Sequence, residues 1–134
     1  MSCKDVCIDS GWDLDMPSFS NNVIRRAAKP HVCEECGDAI LKGDRYEYAS
    51  GMWDGEFMAF KTCLVCVEVR TAFTCGGYAI TQLWENMRDE MFPHWNELVA
   101  IDCLAKLKTD AAIGKVRTHY SKYCESTDGE HSKP

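Results

Sequence analysis

The chain lacks most of what marks a membrane protein, a secreted protein or an enzyme. Its 134 residues hold no apolar run near 20 residues, the length that a spanning helix needs. No N-terminal stretch sets a basic flank before an apolar run, so a cytoplasmic location is expected. Neither a G-x-S-x-G nucleophile turn nor a Walker-type phosphate loop occurs. Histidine is scarce, being limited to His31, His94, His119 and His131. None of them lies between Cys36 and Cys66, where a finger-type nuclease would need one to activate water. Carboxylates such as Glu34, Glu35 and Asp38 are scattered and read as a solvated face. Positive charge is also short: 15 Lys and Arg stand against 21 Asp and Glu, and the formal net charge of −6 repels nucleic acid on average. These absences together predict a protein that is not an enzyme.

Cysteine, by contrast, is abundant. Of nine cysteines, four fall into two pairs, Cys33-Glu34-Glu35-Cys36 and Cys63-Leu64-Val65-Cys66, with 26 residues between them. Two intervening residues let both sulfurs of a pair reach one ion at about 2.3 Å, and four thiolates close the sphere against water. The expected cofactor is therefore structural Zn²⁺ held by Cys33, Cys36, Cys63 and Cys66. Redox or disulfide motifs are the alternative. Metal loading with four thiolates takes the net charge to about −8. Cys3, Cys7, His31 and Cys75 are candidates for a second metal site. Cys103 reads as a reduced core thiol, and Cys124 follows the last helix.

The flanks of the pairs predict the local fold. Gly37 suits a tight knuckle after the first pair. Tyr46, Tyr48, Phe57 and Phe60 favour strand, and Asp54-Gly55 is a hairpin turn signal, so residues 45–61 read as a hairpin. Leu64, Val67 and Thr71 or Ala72 share one helical face, which puts the second pair in a first helical turn, where thiolate is favoured over thiol. Knuckle, hairpin and helix in this order make a treble-clef zinc finger. Three further apolar stripes predict helices: Ile80 to Met91 stopping before Pro93, a second from near His94 through Leu98, Ile101 and Leu107, and a third from Thr109 or Asp110 through Ile113, Val116, Tyr120 and Tyr123. The fold class is α+β. Residues 1–30 form an N-terminal arm, 31–78 the zinc module, 79–124 a helical region packed on it, and 125–134 a mobile tail.

Two surfaces suggest partners. At the hairpin tip, pairing across Asp54-Gly55 sets Met52 opposite Phe57, with Trp53 and Met58 toward the other face. Both faces are then apolar, and Met52, Trp53, Phe57 and Met58 become candidate protein-binding residues. Arg25, Arg26, Lys29 and His31 cluster before the knuckle and read as a solvated linker that neutralises the zinc-thiolate centre. A nucleic-acid-binding regulator using Arg25, Arg26, Lys29, Lys42 and Arg45 is the second reading.

The runs Lys29-Pro30-His31-Val32-Cys33-Glu34-Glu35-Cys36-Gly37, Gly43-Asp44-Arg45-Tyr46-Glu47, Gly51-Met52-Trp53-Asp54-Gly55-Glu56-Phe57 and Phe60-Lys61-Thr62-Cys63 resemble a group of small bacteriophage and prophage zinc proteins. The likeness spans roughly residues 1 to 90. Those proteins often open with Ser-Cys-Asp-x-Cys, whereas this chain has Ser2-Cys3-Lys4-Asp5-Val6-Cys7, one residue longer. The resemblance implies a bacterial host cell and a non-enzymatic protein that binds a host protein or complex, such as a defence complex inhibited in the anti-CRISPR manner.

Overall fold

The computed structural model describes residues 19–53, 55–74, 81–100 and 102–131, with side chains left aside at 19, 20, 53 and 126–131. Strand β1 (Phe19–Arg26) precedes a short pair, β2 (His31–Val32) and β3 (Ala39–Ile40). The long hairpin β4 (Arg45–Trp53) and β5 (Glu56–Cys63) follows and leads directly into α1 (Leu64–Phe73). The hairpin forms where the sequence predicts it, with Met52 opposite Phe57 and Gly55 at φ 79° in the turn. The larger sheet is antiparallel in the order β1-β4-β5.

Strand β1 is a departure from the expected arm. Its polar run hides no apolar alternation, but β4 is aromatic-rich and offers an unpaired edge, and Phe19 to Arg26 pair residue by residue with Met52 to Arg45. Backbone hydrogen bonding, not side-chain pattern, decides that segment.

One face of the sheet packs against α1. Glu47, Ala49 and Thr62 are buried there, and Arg70 of α1 reaches Glu47 through two hydrogen bonds of 3.0 and 2.7 Å, with both side chains only 8% exposed. Strand alternation puts Arg25, Tyr48, Lys61 and Phe57 on the opposite face.

The helical region is more broken than its stripes predict. In place of one helix over 79–91, a short α2 (Leu83–Asn86) continues into a π-helical turn, Met87–Met91, and a 3-10 turn, Phe92–His94. The extra residue per turn still buries Leu83, Trp84, Met87, Met91 and Phe92, so the apolar spacing serves the core without a regular helix. Pro93 does not end the chain's helical path but sits at the start of the 3-10 turn, just after Phe92, that hands over to α3 (Trp95–Ala100). Asp102, at φ 58°, then turns the chain, and a 3-10 turn, Cys103–Lys106, replaces the rest of the second stripe.

Helix α4 (Asp110–His131) starts where expected. The Thr109 hydroxyl accepts from the Ala112 amide, and Glu68 of α1 binds the amides of Lys108 and Thr109 at 2.6 and 2.9 Å. The helix runs beyond the expected end at 124, and seven residues of the predicted tail are helical. No described helix is long and apolar enough to cross a membrane.

The core gathers Ile40, Val69, Phe73, Met87 and Val116 from sheet and helices alike. Cys103 is buried within it and disulfide-bonded, which corrects the reading of a reduced thiol. Sequence spacing carries no record of which thiols a fold brings within bonding distance.

Candidate metal centre

Cys33, Cys36, Cys63 and Cys66 converge, their four sulfurs all within 4.8 Å of one another. Among the described residues no other such group forms. Each sulfur has a distinct local origin. Cys33 follows β2 and Cys36 lies in the turn before β3, which closes by hydrogen bonds from the Cys33 amide to Asp38 O and from the Gly37 amide to Cys33 O. Gly37 sits at φ 80°, a conformation glycine adopts freely. Cys63 ends β5 and caps α1, and Cys66 is in the first turn. That turn contains no acidic residue, so no carboxylate of its own competes with the sulfurs for the positive end of the helix.

A two-way clasp locks the knuckle to β5: the Glu34 amide donates to Lys61 O at 2.9 Å, and the Lys61 amide donates to the Glu34 carboxylate at 2.6 Å. Cys36 and Cys63 thereby come to 3.9 Å, close to the roughly 3.8 Å edge of a tetrahedron with 2.3 Å metal–sulfur bonds.

Donors surround the quartet. The Glu35 and Cys63 amides point at Cys33 Sγ at 3.4 and 3.3 Å, and the Asp38 amide at Cys36 Sγ at 3.5 Å. Two further donors come from the helical region. Trp84 Nε1 donates to Cys66 Sγ at 3.3 Å, and Lys115 Nζ donates to Cys36 Sγ at 3.0 Å while pairing with Asp38 at 2.7 Å. Burial pulls the Lys115 pKa down, but Asp38, Cys36 and the other sulfurs outweigh it and hold the ammonium charged.

The thiols perturb one another. Hydrogen bonds from Cys36, Cys63 and Cys66 hold Cys33 far below its ordinary value. At Cys36 the contact with Cys33 pushes upward, yet Cys63, Cys66 and Lys115 prevail and bring it down to about 5. Cys63 and Cys66 are pushed up, chiefly by Cys33 and Cys36. Two thiolates thus suppress the ionisation of the next two, a conflict that a bound cation removes. The four cysteines are positioned to bind a metal ion.

Sequence reasoning missed the outer ring of this centre. Trp84 appeared only as one member of an apolar stripe, and Lys115 carried no signal at all. The charge that touches the sulfurs is Lys115, from a helix that begins 44 residues after Cys66, and not the cluster before the knuckle. Glu35 was read as solvated but is partly buried: its Oε1 accepts from the Leu83 amide at 3.2 Å, its Oε2 is buried without a partner among the described residues, and desolvation raises its pKa. His119 stacks on Trp84 with centroids 3.8 Å apart, and burial, then Lys122 and Lys115, lower its pKa.

Cys3, Cys7 and Cys75 lie outside the described residues. His31, their expected companion, packs its ring against Tyr46 at 5.4 Å. At the hairpin tip Phe57 is 61% and Met58 40% exposed, and Met52 is half-buried; the Trp53 side chain is outside the description. Elsewhere a shallow cleft is lined by Phe92, Trp95 and Tyr120, with His94 and Glu97 3.9 Å apart at its largely exposed rim.

No family model matches the chain, nor does any curated protein or solved structure.

Proposed function

We propose that the protein is a zinc-stabilised, non-enzymatic binding module that acts through protein–protein contact. The observation that carries this reading is the four-sulfur cluster itself. Four sulfurs suffice to fill every position of a tetrahedral ion, and these are held by amide, indole and ammonium donors. No position is left for water or substrate, so the metal's role is architectural. Zinc fits the ligand set best, because soft thiolates in tetrahedral array select it over hard cations. The order of knuckle, hairpin β4–β5 and helix α1 bearing the second pair supports a treble clef.

The partner surface in this reading is the hairpin tip. Phe57 and Met58 point to opposite faces of β5 and both are exposed, an arrangement that a partner's apolar surface would cover. On the resemblance to phage zinc proteins, the partner is a host protein complex, with defence complexes first to be tested.

The test is affinity capture from a bacterial lysate by the zinc-loaded protein and by its Phe57→Ala/Met58→Ala form, with the metal content of each measured. Capture of the same host complex by both forms removes the tip from the reading. Absence of any captured complex removes the reading itself.

A further inference from the structure

The outer face of the β1-β4-β5 sheet carries a group of side chains that neither the metal centre nor the hairpin tip uses. Tyr48 lies at its middle. The Arg25 guanidinium sits over the Tyr48 ring at 3.9 Å, and Lys61, directly across on β5, holds its ammonium 5.9 Å from the same ring. One register position nearer the strand ends, on the other face, Arg26 stands opposite Arg45. Like charges directly across an antiparallel pair destabilise it. Yet among the described residues none of these four cations forms an ion pair.

The neighbouring acids do not relieve the repulsion. Glu47, on β4 between Arg45 and Tyr48, is spent on Arg70 inside the molecule. Asp44 accepts from the Leu41 amide and Glu34 from the Lys61 amide. Arg26 donates to a carbonyl, that of Gly43 at 3.2 Å, which leaves its charge uncompensated. In a chain of formal charge −6, two cations flanking one ring on the outer face, neither in an ion pair among the described residues, describe a surface built for an anion.

The anion's shape follows from Tyr48. A phenol ring carrying a planar guanidinium is a stacking platform, and a nucleobase freed from its neighbours can lie on such a surface while its phosphates meet the flanking cations. A base within a duplex is stacked already and cannot reach it. We propose that this sheet face binds single-stranded nucleic acid without sequence preference, with Tyr48 and the guanidinium over it stacking a base, and the edge of Arg25 and the ammonium of Lys61 contacting the flanking phosphates. The proposal stands independently of any protein partner at the hairpin tip.

Fluorescence anisotropy tests it. A labelled mixed-sequence single strand of about a dozen nucleotides, and its duplex, are titrated with the zinc-loaded protein between about 50 and 200 mM salt. The expected result is saturable single-strand binding that weakens steeply with salt and exceeds duplex binding. Arg25→Glu/Lys61→Glu, with zinc content and circular dichroism unchanged, weakens it at least about tenfold and flattens the slope of log affinity against log salt by about 1.4. Tyr48→Ala loses about five- to 150-fold, whereas Tyr48→Phe retains binding. Lys122→Glu, on α4, serves as control and changes binding less than twofold. Absence of saturable binding at low salt, equal affinity for the duplex, or equal loss in the Lys122 control overturns the proposal. So does capture of an acidic protein on this face in place of the oligonucleotide.

Discussion

Lys115 and Trp84 touch the candidate metal centre without belonging to its four cysteines. Both donate to sulfur, which spreads the thiolate charge and holds the ligands in place. Lys115→Ala is therefore expected to weaken zinc binding about tenfold or more, measured by competition with a chromophoric chelator. Unchanged affinity would reduce Lys115 to a surface contact. The buried pair Arg70–Glu47 makes the second prediction at this scale. Removing one partner leaves the other charged and dry, so Arg70→Met lowers stability by about 3 to 5 kcal/mol in denaturant unfolding of the zinc-loaded protein. The double change Arg70→Met/Glu47→Leu should recover most of that loss, because the lone charge is gone. Of these residues the cysteine ligands were legible in the sequence, since their spacing is a covalent property. Lys115, Trp84 and the Arg70–Glu47 pair were not, since each meets its partner across 18 or more residues of chain.

Among the elements, α4 depends on a cap supplied from outside. Thr109 caps the helix itself, and Glu68 of α1 gathers the two preceding amides and the Thr109 hydroxyl. Thr109→Ala is expected to lose about 1 kcal/mol. The Glu68 carboxyl is held below its ordinary 4.5: desolvation acts upward, but the hydrogen bonds from Thr109 and Lys108 prevail. A lowered folded-state pKa means stability that is fully present above the unfolded value and lost as the pH falls through the folded one. Glu68→Gln should therefore be less stable than the parent at pH near 7, with the difference closing on acidification below about 4.5, followed by paired denaturation curves. A difference that widens in acid would mean the carboxylate is not the capping form. The cap residue Thr109 was readable as a helix start, whereas its support from α1 was not. Strand β1 shows the same limit, because a polar segment joins a sheet through its backbone and leaves no periodic trace.

At the scale of the molecule, the four-cysteine cluster is where four parts meet: the β2–β3 knuckle, the β5–α1 junction, α2 through Trp84 and α4 through Lys115. Metal removal is thus expected to loosen the helical region together with the β2–β3 knuckle. Excess chelator should lower far-ultraviolet ellipticity, relative to the zinc-loaded protein in the same reducing buffer, well beyond what ten residues of α1 account for, and Cys66→Ser should reproduce the loss. Retention of α4 in the metal-free protein would show instead that the helices hold on their own core. What the sequence alone determined is local: four sulfurs at metal spacing, a hairpin with its turn, and a capped last helix, each specified by residues within a few positions of one another. The tertiary structure alone decided which distant groups surround the sulfurs, which polar strand completes the sheet, and where cations stand without an ion pair among the described residues. Those outcomes depend on packing and charge compensation between segments remote in the chain, and such contacts exist only once the chain has folded around the centre.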